Sequence, residues 1–138
     1  MSIVQTQTTS FKKELYQGIH DLSTDTIKIA LYTGNADLNE ATTVYSATNE
    51  VVAAGYTAGG ETMTGVAISS SGYVAYANWD NVSWTAALTA RCALIYNASK
   101  GNKSVAVLDF GSDKTSTTTF TITMPANTST TALIRSSN

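Results

Sequence analysis

Apolar and polar positions change period several times along the chain, and each change marks an expected element. Phe11, Leu15, Ile19 and Leu22 recur at spacings of four, four and three, which places them on one helical face. A helix over 10–21 is predicted, with Ser10 as N-cap, Glu14 in the first turn, and Gly18 as an interior weak point of about 1 kcal/mol relative to Ala. From Thr26 to Tyr32 the period becomes two: Ile27, Ile29 and Leu31 face one way, Lys28, Ala30 and Tyr32 the other. That alternation predicts a strand. Residues 33–57 hold no sustained period and predict a long excursion with one short helical turn, a kind of segment that often carries a binding surface.

After Gly59-Gly60 the period of two returns in 62–68, 73–79, 82–85, 89–96, 103–110 and 117–124. Asp80-Asn81 is expected to form a two-residue hairpin turn with Trp79 opposite Val82. A second hairpin joins 89–96 to 103–110 through the turn residues 97–102, and Gly111 to Thr115 reads as a further turn. In 117–124, Thr118, Phe120, Ile122 and Met124 share one side while Thr119, Thr121 and Thr123 share the other, the pattern of a half-exposed strand. Pro125 closes that strand because it cannot donate to the ladder, and Ala132, Leu133 and Ile134 form a short last strand. Seven or eight short strands with one helix at the start predict a mainly β fold: an antiparallel β-sandwich or jelly-roll-like domain with one N-terminal α-helix. The chain length suits one domain, divided into an extended arm (1–9), the helix (10–21) and the β-sandwich (26–135).

Composition adds a constraint on the surface. Hydrophobic residues make up 43 % and charged residues 13 % of the chain, about half the usual charged share. The 23 Thr and 15 Ser supply the remaining polarity, and β-branched Thr favours strands. A net charge of −2 without a basic cluster predicts no nucleic-acid partner and no anionic membrane surface. Met1 to Gln7 carry no secretory pattern, and no apolar run is long enough to span a bilayer. The Asn-x-Ser/Thr triplets at Asn81, Asn97, Asn102 and Asn127 follow from the abundance of Ser and Thr.

Candidate chemistry is sparse. His20, the single histidine, falls at the expected helix end, where it would cap the last carbonyls or stand exposed. Cys92, the single cysteine, alternates with apolar neighbours and is expected as a buried structural thiol. These two residues are too few for a zinc site, and Asp80, Asp109 and Asp113 lack the frame of a calcium loop. No nucleophile elbow or facing carboxylate pair is identifiable, and no Lys-Ser or Lys-Thr follows the glycines from Gly59 to Gly65. No catalytic, cofactor-binding or metal-binding residue is therefore nominated, and no enzyme is expected. The two Trp are expected to anchor the core while the Tyr residues rim it with their hydroxyls in water. Because Tyr is enriched at interfaces, Tyr32, Tyr45, Tyr56, Tyr73 and Tyr76 are the candidate protein-interface residues.

Several runs carry a family resemblance: IKIALYT at 27–33, TNEV at 48–51, GYTAGG at 55–60, RCALIYN at 91–97 and GNKSVAVLDFGSDKT at 101–115. Together they resemble a family of small tailed-phage virion structural proteins, of the head decoration, cement or fibre type, over roughly residues 10 to 135. Cys92 stands where the family pattern has glycine, and Lys103 where it has arginine. The helix-then-strand opening also resembles that of small capsid cement proteins. The resemblance implies a place on the outer surface of a phage head, the major capsid protein as partner, and a homo-oligomer, with a trimer expected by analogy. The alternative it leaves open is a tail or head fibre module binding host glycan. It implies no catalytic residue.

Overall fold

The structure is a computed structural model that describes residues 2–137. In chain order the first elements are β1 (Thr6–Gln7), α1 (Thr9–Tyr16), β2 (Ile27–Tyr32), β3 (Glu61–Thr62), β4 (Ala67–Ser71) and β5 (Val74–Asn78). They are followed by β6 (Val82–Trp84), β7 (Thr89–Asn97), a 3-10 turn (Ala98–Lys100), β8 (Lys103–Thr115), β9 (Phe120–Ile122) and β10 (Ile134–Ser136). The chain is mainly β with antiparallel sheets and one α-helix, a β-sandwich-like domain.

Strands that are apolar on both faces form the centre. The principal sheet has the order β1-β8-β7-β2-β3, antiparallel throughout, with Ile29 opposite Ile95 and Leu94 opposite Val107. Its first face presents Ile27, Ile29, Leu31, Ala93, Ile95 and Leu108 to a cluster containing Phe11, Trp79, Trp84, Phe120 and Ile134. Helix α1, the β6-β9 pair and the β10-β5-β4 sheet supply those partners. The second face carries Ala30, Tyr32, Cys92, Leu94, Tyr96 and Val107, and is covered by Ile3, Ala36, Leu38 and Tyr45. Both Trp anchor the core as expected, and Cys92 is fully buried.

Several expected boundaries move, each for a local reason. Helix α1 starts one residue early because Thr8, not Ser10, caps it, its hydroxyl accepting from the Phe11 N–H. It ends at Tyr16 because Gly18 lies at φ +69°, with Gly18 N–H donating to Leu15 O and Ile19 N–H to Glu14 O. This is a Schellman stop, so Gly18 terminates the helix instead of weakening its interior. The expected strand 62–68 breaks into β3 and β4 at Gly65, whose φ is +67° and where a Cβ would lie 2.1 Å from the Asp80 carboxylate. Asp80-Asn81 is no hairpin turn: β5 pairs with β4 and β10, β6 pairs with β9, and the Asp80 N–H donates to Thr64 O. Trp79 therefore does not face Val82 across a ladder.

The turn signal at 111–115 proves to be a large bulge. Ala90 pairs with Lys114 and Cys92 with Asp109, so Arg91 stands opposite four residues while β8 runs on to Thr115. Only Phe120–Ile122 of the expected strand 117–124 is laddered; Phe120, Ile122 and Met124 are buried with Thr119, Thr121 and Thr123 exposed, as the alternation requires, but Thr118, expected on the buried side, precedes the ladder and is exposed. The last strand lies at 134–136, displaced from 132–134 by the hydrogen-bonded turn that ends at Ala132. The arm is not free, since Ile3 bridges Leu38 and β1 pairs with β8. The excursion contains no helical turn, and it is pinned to the sheet by bridges from Glu50 to Tyr32 and from Val44 to Lys103. Among the described residues no helix is long and apolar enough to cross a membrane.

Candidate functional site

The excursion closes around one buried carboxylate. Its segment 49–51 runs along the outer edge of β2, with the Val51 N–H donating to Leu31 O and the Thr33 N–H to Asn49 O. That places Glu50 inside the protein at 6 % exposure. Its Oε1 accepts from the Tyr45 hydroxyl at 2.5 Å, and its Oε2 from the Tyr56 hydroxyl at 2.5 Å and the Gly59 N–H at 2.8 Å. Tyr56 in turn accepts the Leu31 N–H at 2.9 Å, and the Tyr96 hydroxyl donates to Gly59 O at 2.6 Å. Tyr45 stacks on Tyr96 with ring centroids 4.7 Å apart, and the Tyr32 hydroxyl donates to Ser46 O at 2.6 Å. Gly60, at φ +79°, lets the loop press against β2: a Cβ there would lie 1.8 Å from Ile29 O.

Burial, and secondarily the Glu50 carboxylate, raises all four hydroxyls above their ordinary range, Tyr96 to about 12 and Tyr32, Tyr45 and Tyr56 further. These phenols stay protonated and donate. Three donors from within the chain converge on the Glu50 carboxylate, so the cluster acts as a clasp holding residues 45–60 on the sheet.

A second polar network forms around His20. His20 is buried, Nε2 lying 2.9 Å from Glu14 Oε1 and Nδ1 3.0 Å from Asn97 Nδ2. The Asn97 amide donates also to Asp25 Oδ2 at 2.8 Å, while its Oδ1 accepts the Ser99 N–H at 3.0 Å. With an amide donor facing Nδ1, the imidazole carries its proton on Nε2 and donates to Glu14. The Asn97 hydrogen bond is the main reason that the Asp25 carboxyl lies below its usual range. His20 therefore neither caps α1 nor faces solvent. It ties α1 to the β7-β8 turn, and among the described residues no hydroxyl or thiol is a hydrogen-bond partner of it.

The candidate interface tyrosines separate into two groups. Tyr32 and Tyr56 are buried, at 1 % and 8 % exposure, with their hydroxyls in internal hydrogen bonds, so neither is a surface anchor and neither rims the core in water. Tyr45 is half-buried in the same clasp. Tyr73 stands 89 % exposed at the tip of the β4-β5 hairpin, and Tyr76 lies half-buried on β5. Sequence reasoning overlooked Tyr96 and Glu50 as partners of this cluster. The available signal was an acidic residue inside a Thr- and Ala-rich segment next to a resembling Gly-Tyr run.

An open groove of about 700 Å³ runs between β1-β8 and the chain from Ile122 to Ser137, floored by Leu108, Phe110, Ile122 and Met124. The Gln7 side chain crosses it to donate to Arg135 O at 2.9 Å. Among the described residues no group of three or more His, Cys, Asp or Glu is placed to hold a metal ion. Arg91 and Asp109 pair beside the β8 bulge, which holds the Asp109 carboxyl below its usual range. No family model, no curated protein and no solved structure matches the chain.

Proposed function

We propose that this chain is a structural protein of a tailed-phage particle, a decoration or cement subunit that binds the major capsid protein on the outer surface of the head and acts as a homo-oligomer. The observation that carries the reading joins sequence to geometry. The resembling runs at 27–33, 48–51, 55–60 and 91–97, far apart in sequence, supply Leu31, Glu50, Tyr56, Gly59 and Tyr96 to a single clasp. Four of the five resembling runs meeting in one structural unit support shared architecture better than scattered matches would. The clasp also gives the excursion a fixed outer surface, on which Val44 and Val52 are exposed. A pre-formed, nearly uncharged surface suits repeated contacts on a symmetric shell, where many weak attachments add by multivalency.

The test is the copy number of the chain relative to the major capsid protein in purified particles, by mass spectrometry with labelled peptide standards. Copies in the hundreds support the decoration role, and absence from particles rejects it. A second reading, a fibre or adhesin module binding host glycan, is favoured by the exposed Tyr73 ring, a stacking surface with its hydroxyl free for hydrogen bonds. A copy number of a few to a few dozen, with signal on a glycan array, would establish it in place of the first.

A further inference from the structure

β4 is a strand without a core. All five of its residues, Ala67 to Ser71, are exposed, and it forms the outer edge of the β10-β5-β4 sheet. Among the described residues β5 ladders with it on one side and no strand does on the other. The other free edges are protected: β1, β3, β6, β9 and β10 are two or three residues long, and the distal half of β8 carries Asp109, Asp113, Lys114 and the bulge. β4 has none of the usual guards of an edge, such as a charge, a proline or a bulge. The whole segment from Thr62 to Trp79 contains no charged residue, and Ile68 and Tyr73 are exposed on it at 55 % and 89 %.

We propose that β4 joins two copies of this chain edge to edge, antiparallel about a two-fold axis through Ser69, making one six-stranded sheet. The register follows from the hairpin. Ser71 pairs with Val74 across the two-residue turn Gly72-Tyr73, with Gly72 at φ +59°. In such a hairpin Ser71, Ser69 and Ala67 direct their N–H and C=O groups toward β5, and Ile68 and Ser70 direct theirs outward. A two-fold through Ser69 pairs both outward positions of the strand, Ile68 with Ser70 of the second copy and Ser70 with its Ile68, whereas an axis through either of those residues would pair only that one within β4. Ser69 then meets Ser69 at the close, non-hydrogen-bonded position, which small side chains suit. Charge selects the occupant: an edge carrying either sign would repel its own copy, whereas a neutral one is complementary to itself. The inference is independent of any place in a virion, because the dimer is a property of the purified chain. A two-fold dimer differs from the trimer that the resemblance implies.

Sedimentation equilibrium of the full chain tests it. The expected mass is twice the chain's 14.5 kDa. Ser70→Pro removes an outward N–H from each copy while leaving the β5 ladder intact, and is expected to raise the dimer Kd about thirty-fold. Ser69→Lys sets two like charges in contact and is expected to give monomer. Both positions are exposed, so the circular dichroism of either variant matches the wild type. A wild-type chain that stays monomeric up to about 0.1 mM, a mass of three chains, or a dimer unchanged by both substitutions would overturn the proposal.

Discussion

Glu50→Ala is the substitution that most directly tests the clasp. It removes the acceptor of three donors, the Tyr45 and Tyr56 hydroxyls and the Gly59 N–H, in a site only 6 % exposed. A buried donor left without a partner costs about 1–3 kcal/mol, and more when its lost partner was charged. Tyr45 is half-buried and can turn toward water, so it counts least; Tyr56 and Gly59 are buried and count in full. The expected loss is about 4 kcal/mol, a large part of the roughly 5–15 kcal/mol that holds a domain folded. Glu50→Gln keeps the shape and one acceptor oxygen, and is expected to cost about 1–2 kcal/mol.

Equilibrium urea unfolding, followed by Trp fluorescence and circular dichroism together, measures both variants. Trp84 lies 6.1 Å from Tyr56 between ring centroids, so its emission reports on the core beside the clasp. Combining Glu50→Gln with Tyr56→Phe closes a double-mutant cycle, with an expected coupling of about 1 kcal/mol or more. A Glu50→Ala loss below about 1 kcal/mol, or additive Gln and Phe effects, would refute the idea that this carboxylate holds the excursion on β2.

Further outcomes follow from individual groups. Gly18→Ala is expected to destabilise by about 1 kcal/mol because φ is +69° at a helix stop, whereas an interior glycine would gain about as much, so the sign of one melting shift distinguishes the two. Unfolded tyrosines ionise near pH 10, while Tyr32, Tyr45, Tyr56 and Tyr96 stay neutral to higher pH in the fold. Above pH 10 the unfolded chain thus binds fewer protons, and stability that is complete below pH 10 falls as pH rises toward 12, measurable as a drop in urea midpoint. A midpoint constant from pH 9 to 11.5 would contradict the burial of those hydroxyls. Cys92, fully buried with its thiol pushed up to about 11, is expected to resist thiol reagents at pH 8 until urea unfolds the chain, and prompt native labelling would contradict its position.

What was legible in the sequence was whatever depended on local period. β2, the β7-β8 hairpin and the alternation around Phe120 follow from side chains pointing in turn to two faces, and this needs no knowledge of partners. What was not legible depended on pairing at a distance. Gly18, Gly65 and Gly111 look alike in sequence, yet one stops a helix, one divides two strands and one sits in a bulge. His20 shows the same limit. Nothing near it in sequence announces Asn97, 77 positions away, and without that partner an exposed imidazole is the simpler expectation.

The same limit explains why the candidate tyrosines divided as they did. Tyrosine is amphipathic, so its sequence neighbourhood cannot say whether the ring faces a core or a partner; the hydroxyl's nearest acceptor decides. Tyr32, Tyr45 and Tyr56 lie within reach of a carbonyl or of Glu50, and their interaction capacity is satisfied within the chain. Tyr73 sits on a hairpin whose outer strand contributes no side chain to either core cluster. A strand that adds nothing to the core still restricts its backbone and exposes an unpaired ladder, at a conformational cost that burial does not offset. Contacts outside the monomer are the most economical physical compensation for such a strand, which is why β4 is the place to look for a contact between copies of this chain.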